Sequence, residues 1–266
     1  RGITHSIPAV ALWPILITIV LSLIIQDANV LHLWLWTFLA VAIHVFVDIF
    51  NAYGTQAIRP FSRKWVALGV INTFDPIIFS LHCLGILLWA FGANPVWTFS
   101  VMYGVIVVYY FFRFAVQKAV KKAVHSTIQD EDYVIVAPTM RFFHWRIAAK
   151  SKTHYYVGRA YGRTVNIYDK FEIKPLPKTP TVEAAMKDPN LAAFVSFSPL
   201  YRWEISELEN DLTEVRLIDL RYRSDNRYPF VAVAHLNEDN EIITSYTGWI
   251  FTEDKLQKKL QIGASN

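Results

Sequence analysis

Acidic side chains are scarce in the first half of this 266-residue chain. Residues 1–126 hold only Asp27, Asp48 and Asp75 against eight bases, whereas residues 127–266 hold 19 acids and 18 bases. Charge is short over the whole chain too, at 18% against about 25% in an average soluble domain. These shortages exclude a single soluble globule and a disordered chain. Cysteine is nearly missing. The lone Cys83 cannot form an internal disulfide, which excludes a disulfide-stapled secreted domain, and inside its apolar run it reads as a small packed hydrophobe. The second half has no Gly-rich phosphate loop, CxxC pair or GxSxG elbow. Its near-neutral charge leaves no electrostatic footprint for nucleic acid. No Met precedes Arg1, and the chain starts inside what reads as a motif, so a preceding N-terminal piece is expected.

What the first half has instead is long apolar runs. A bilayer core of roughly 30 Å needs about 20 apolar residues in helix. Spans are expected at about 7–25, 30–50, 74–91 and 96–116, with Trp13, Trp34, Trp36, Trp65, Trp89 and Trp97 mostly toward their ends as interface aromatics. The first run is too long for a signal peptide. The connection after the second span carries Arg59, Arg63 and Lys64, and Lys118, Lys121 and Lys122 follow the fourth. The connections after the first and third carry no base. By the positive-inside rule, Arg1 and everything after Val116 face the cytoplasm.

Beyond a basic helical extension over about 117–129, short alternating segments replace the long runs. Residues 133–137, 142–148, 155–161, 164–173, 215–222, 230–236 and 242–251 read as strands, and 181–197 as helix with a break expected at Pro189. The expected architecture is a membrane α-helical bundle of four transmembrane helices over residues 1–126, plus a cytoplasmic, mostly-β (α+β) domain over 127–266.

An ionisable side chain inside a membrane span is costly and marks a functional hypothesis. His44 and Asp48, four apart, share one face of the second span one turn apart, and Asn51 continues the stripe. This pairing offers an imidazole nitrogen and a carboxylate oxygen to one cation. The plain alternative is a His–Asp hydrogen-bonded pair joining two spans. His5, just before the first span, comes to the same cytoplasmic depth, and the polar turn from Asn51 to Gln56 is placed to close over such a site. Thr4 or Ser6 caps the first helix. Asp75 followed by Pro76 reads as a helix cap, and it also lies at the cytoplasmic level. His82 and His32 read as packing or interface residues, and His125, His144, His154 and His235 as surface or strand residues. Arg59 and Arg63 serve the topology or steer an anionic substrate.

The segments Arg1-Gly-Ile-Thr-His-Ser6, His44-x3-Asp48, Asn51-Ala-Tyr-Gly-Thr55 and Asn72-Thr-Phe-Asp-Pro76 resemble the YdjM/YfhP family of bacterial membrane-bound proteins, described as metal-dependent hydrolases. The membrane half looks like the YfhP branch. The resemblance implies that His5, His44 and Asp48 are metal ligands, and that a further N-terminal segment with a His and an acidic motif completes their site. The expected function is then an inner-membrane, multi-pass, metal-dependent hydrolase with its site at the cytoplasmic membrane surface. Zn²⁺ is the expected cation, Asp75 a further ligand or general base, and the substrate an ester or phosphoester, lipid-like by the depth of the site. The competing expectation is a non-enzymatic regulator or scaffold that sits in the lipid bilayer and whose cytoplasmic domain binds a protein partner. A small transporter is disfavoured by the lack of internal repeats or broken helices.

Overall fold

The computed structural model describes residues 2–25, 27–208 and 211–264. It divides into two compact units. The first comprises Arg1–Val124 with Val136–Trp145 and Ala160–Thr164, and the second His125–Ile135, Arg146–Arg159 and Val165–Asn266.

The first unit is built on four apolar helices, α1 (Ile7–Ile24), α2 (Val30–Asp48), α3 (Pro76–Ala90) and α4 (Pro95–Thr127). Each starts where the sequence supplies a cap. Ser6 Oγ accepts from Ala9 N at 3.4 Å, and Asn29 Oδ1 from His32 N at 3.0 Å. Asp75 Oδ1 accepts from Ile77 N at 3.0 Å and Ile78 N at 3.2 Å, with Pro76 in the first turn. Such side chains satisfy amides that have no partner in the first turn.

α1 and α2 form an antiparallel hairpin stitched by hydroxyls: Thr18 Oγ1 and Thr37 Oγ1 lie 2.9 Å apart, and Thr37 Oγ1 also donates to Pro14 O at 3.3 Å. Water is absent from a bilayer core, so such groups must bond one another. α3 and α4 are antiparallel as well, with Trp89 against Phe99, His82 against Tyr103, and Tyr109 donating to Asp75 Oδ2 at 2.9 Å. A Cβ added at Gly85 would lie 2.9 Å from Met102 Sδ, so a larger residue there would make the Met102 side chain shift.

Three of these helices, α1, α2 and α4, are long and apolar enough to cross a membrane. α3 has 15 residues and is about 22 Å long. The expected third span over 74–91 is therefore shorter than its apolar run, because Asp75-Pro76 starts it and Phe91-Gly92 ends it. α4, with 33 residues, is about 50 Å long, well beyond a bilayer core of roughly 30 Å. Its Arg113 is 1% exposed; Nε donates to Val70 O at 3.1 Å, Nη1 to Phe142 O at 2.7 Å, and the guanidinium lies over the Trp145 ring at 4.2 Å. The one charge inside the fourth apolar run is thus held by carbonyls and ring faces of the protein. Gln117 Nε2 lies 2.7 Å from Gly69 O and 2.9 Å from Leu68 O, tying the segment after α2 to α4.

Beyond α4 come two four-stranded sheets, each in chain order. The first runs β1 (Glu131–Pro138), β2 (His144–Ser151), β3 (His154–Tyr161) and β4 (Thr164–Glu172). Its tight turns fall at Lys152-Thr153, where Ser151 Oγ accepts from His154 N at 3.1 Å, and at Gly162-Arg163. Helices α5 (Pro180–Lys187) and α6 (Pro189–Phe197) follow, separated at Asp188, whose side chain caps α6. The second sheet runs β5 (Tyr201–Glu207), β6 (Thr213–Asp219), β7 (Phe230–Leu236) and β8 (Ile242–Trp249), antiparallel throughout, before α7 (Glu253–Ala264).

Strand alternation sends Val215, Leu217, Ala232 and Ala234 to one face, where they bury Val182, Ala185, Leu191 and Phe194 of α5 and α6. Val231, Val233 and Ile218 face the other way and cover Leu256 and Leu260 of α7. The second half is therefore an α/β domain of two sheets. β5 and α7 were not expected from the sequence.

Two ion pairs of this unit meet on Glu214. His235 Nε2 donates to Glu214 Oε2 at 3.0 Å, and Arg216 Nε to Glu214 Oε1 at 2.8 Å. Burial acts to raise the Glu214 carboxyl, but the bonds from His235 and Arg216 outweigh it and hold the group below its ordinary range. Asp169 behaves alike: burial acts upward, and the bonds from Tyr228 and Arg223 win.

Candidate metal centre

The first unit gathers three metal-competent side chains at the end of the α1–α2 hairpin. A 3-10 turn at Ile3–His5 leads into α1 and carries His5, while His44 and Asp48 lie one turn apart at the end of α2. Because the two helices run antiparallel, the start of one meets the end of the other. His5 Nε2 lies 3.1 Å from Asp48 Oδ2 and His44 Nε2 lies 3.9 Å from the same oxygen. One donor atom from each residue falls within 4.8 Å of the others. The imidazole centroids are 5.3 Å apart.

Neighbouring groups orient these donors. Thr4 Oγ1 lies 2.9 Å from His5 Nδ1, which leaves Nε2 turned to Asp48. Asn51 Nδ2 donates to Asp48 Oδ1 at 3.0 Å, leaving Oδ2 toward the histidines. The other end of the same amide, Asn51 Oδ1, accepts from Tyr53 N at 3.0 Å and Gly54 N at 2.7 Å, fixing the turn that follows. That turn is possible only with glycine. Gly54 has φ +64°, and a Cβ there would lie 2.2 Å from Val66 O. The turn is closed by mutual bonds between Thr55 and Val66 at 3.0 and 2.9 Å, and Arg59 O accepts from Ile7 N at 3.1 Å, at the start of α1.

These residues fit a divalent cation. Zn²⁺ takes nitrogen and oxygen ligands at about 2.0–2.2 Å, so tetrahedral donors sit about 3.3 Å apart. The His5–Asp48 separation already matches, and His44, whose Nε2 lies 3.9 Å from Asp48 Oδ2, has a side chain 62% exposed and so has room to turn closer. Outer partners on both a ligating histidine and a ligating carboxylate are the usual surroundings of such sites.

Three family models match the chain in succession: YdjM inner membrane protein over residues 1–120, YfhP middle domain over 129–171, and YfhP C-terminal alpha/beta plait domain over 180–260. A protein of Bacillus subtilis (strain 168) named "Uncharacterized protein YfhP" is 54% identical over 265 residues, covering 99% of this chain and 81% of its own length. The chain belongs to the YfhP family. It is a membrane protein of the wider YdjM/YfhP grouping, as the motif resemblance implied. No solved structure matches it.

Within this YfhP-family chain, the other residues marked in the sequence fall elsewhere. Asp75 is not one of the three clustered donors; it caps α3 and receives the Tyr109 hydroxyl. Ser6, not Thr4, caps α1, and Thr4 serves His5 instead. His82 Nδ1 bonds Ile78 O at 2.8 Å, His32 lies by Trp36, and His125 pairs with Glu131. His235 lies in a strand but is buried on Glu214. The Tyr109–Asp75 bond was not foreseen, since no spacing relates residues 34 apart on separate helices. The grip of Asn51 on Asp48 was half visible as the continuing stripe 44, 48, 51.

Proposed function

We propose that this YfhP-family protein is a metal-dependent hydrolase of the bacterial inner membrane, with its site at the cytoplasmic surface. The observation that carries the proposal is the convergence of His5, His44 and Asp48, with His5 and Asp48 oriented from behind, at the end of the α1–α2 hairpin.

The proposed topology has four crossings. α3 is short, yet it is antiparallel to α4 from Trp89–Phe99 to Asp75–Tyr109. Charge supports its crossing. If α3 did not cross, Arg59, Arg63 and Lys64 after α2 would lie on the opposite side from Lys118, Lys121 and Lys122, against the positive-inside rule. With four crossings both basic groups, His5 and the second unit all face the cytoplasm.

A bound Zn²⁺ would polarise an ester or phosphoester oxygen and supply an acidified water. The protein's own groups do the rest. Thr4 holds the His5 ring at Nδ1, Asn51 fixes the Asp48 carboxylate, and the Gly54 turn holds Asn51. The exposed side of His44 leaves room for substrate, and headgroup depth favours a lipid-like or amphiphilic phosphoester. Asp75 is proposed as a proton acceptor. Asp75→Asn keeps the cap and removes the charge, so lost turnover with an unchanged melting temperature supports that role, and unchanged turnover leaves it a cap.

The test is hydrolysis of chromogenic phosphomonoesters and phosphodiesters and of a fluorescent phospholipid by the purified protein in detergent. Activity abolished by chelation, restored by zinc and lost in His5→Ala and His44→Ala is the expected result. A zinc-loaded protein inert on every ester contradicts the hydrolase reading.

A further inference from the structure

The second unit carries a cleft that the metal site does not use. β4 and β5 are each the edge strand of their sheet, and residues from both, with β2 and β3, line a cavity of about 670 Å³. Small-molecule sites typically span about 300–1,000 Å³. Its cations are Lys150, Lys170, Lys174 and Arg202, against the carboxylates of Glu172 and Glu204. Glu204 is already bonded to Arg202. The cleft is therefore basic within a unit whose sequence is near neutral.

The cations are arranged on aromatic faces. The Arg202 guanidinium lies 5.0 Å over the Phe171 ring, and Lys170 Nζ lies 5.6 Å over Tyr156. Trp203 Nε1 donates to Lys174 O at 3.0 Å and so pins the segment after β4 against β5. Neither Lys150 nor Lys174 has an ion-pair partner among the described residues, and Arg202 Nε is buried with no acceptor there. Tyr155 and Tyr201 also line the cavity, and burial raises both phenols above their ordinary range, so each stays a neutral O–H donor.

Lysine ammonium groups without ion-pair partners among the described residues, and the unpaired Arg202 Nε, beside neutral hydroxyl donors match a phosphate, which accepts charge-assisted bonds through several oxygens. Flat side chains beside them match a flat ring. We propose that this cleft binds a nucleoside phosphate. A nucleic-acid strand is disfavoured, since residues 127–266 carry as many acids as bases to within one and offer no basic track beyond the cleft. A lipid headgroup would offer no flat ring to the aromatic side chains that line the cleft.

The test uses the full chain in detergent micelles and the fluorescence anisotropy of mant-labelled adenosine and guanosine phosphates. Competitors are the unlabelled nucleotides, the free nucleosides, inorganic phosphate, a 20-nucleotide single-stranded DNA and phosphatidylglycerol vesicles. Saturable binding is expected, displaced by nucleoside phosphates at concentrations at least tenfold below those needed for phosphate or nucleoside alone. Lys150→Glu with Lys174→Glu, the first half-buried and the second exposed, is expected to weaken binding at least tenfold with unchanged far-UV circular dichroism. Trp203→Leu is expected to weaken it too; should that variant not fold, the lysine pair decides. His44→Ala is expected to bind as wild type, which separates this site from the metal centre. The proposal is overturned by the absence of saturable binding, by equal competition from phosphate alone, by stronger competition from DNA or vesicles, or by wild-type affinity in the lysine variant.

Discussion

Replacing Gly54 with alanine perturbs the candidate metal centre without touching a ligand. At φ +64° an alanine costs about 1–2 kcal/mol against glycine. Space is the larger problem. The new Cβ would lie 2.2 Å from Val66 O and 2.6 Å from Ala67 Cβ, and the first of these is backbone that cannot rotate away. The strand pair Thr55–Val66, with its two bonds at 3.0 and 2.9 Å, must open, and the 2.7 Å bond from Gly54 N to Asn51 goes with it. At about 1 kcal/mol per bond, the whole perturbation amounts to about 4 kcal/mol.

Amide exchange at Thr55 and Val66, followed by mass spectrometry in detergent, should then accelerate by up to roughly a thousandfold. Zinc affinity should fall by roughly 10–100-fold, because Asn51 no longer holds Asp48. Gly92→Ala is the control. Its φ of +92° carries a conformational cost, but nothing lies within 4 Å of the added Cβ. If Gly54→Ala exchanges and binds zinc as Gly92→Ala does, the turn does not support the site and the reasoning fails.

Three further outcomes follow from the same structure. Asn51→Ala should lower zinc affinity by roughly 10–100-fold in a competition titration while leaving helix content unchanged, since it frees Asp48 without removing a ligand; an unchanged affinity would show that Asn51 serves only the turn. Thr37→Val removes the hydroxyl stitch to Thr18 and should destabilise the α1–α2 hairpin by about 0.6 kcal/mol, and no more than about 1.7, in detergent unfolding. Glu214 has a folded carboxyl below its ordinary value, so its stabilisation is in place above about pH 4.3 and is lost as pH falls through the folded value. Glu214→Gln should therefore lower stability at neutral pH and flatten the acid limb, read by circular dichroism between pH 3 and 6. An acid limb as steep as wild type would refute the role given to the His235–Glu214–Arg216 group.

Much of this arrangement is legible in the sequence because it rests on local rules. Apolar runs, Asn29, Asp75-Pro76 and Ser6 place the helices within a few residues, since capping and hydropathy act over single turns. The metal centre is legible in part. The spacing 44, 48 puts two donors on one helix face, and the antiparallel hairpin brings His5 to the same level. What escaped was set by tertiary contacts or masked by composition. β5 carries Arg202, Glu204 and Glu207 in seven residues, because one of its edges is unpaired, and the charges hide the alternation of Tyr201, Trp203 and Ile205. Among the described side chains of α7, Leu256 and Leu260 alone are deeply buried, two residues one turn apart in a polar segment. The shortness of α3 was concealed by apolar residues flanking it on both sides. The cleft of Lys150, Lys170 and Lys174 had no linear signal, since sheet pairing and not spacing assembles it.

The central claim, that His5, His44 and Asp48 together hold a divalent ion, is tested most directly by elemental analysis of the protein purified in detergent without added chelator. About one zinc per chain is predicted for the wild type, and less than a tenth of that for His44→Ala and Asp48→Ala at unchanged helix content. Metal retained in both variants, or no metal in any form even after dialysis against zinc, would contradict it and leave the three residues as a hydrogen-bonded clasp between α1 and α2.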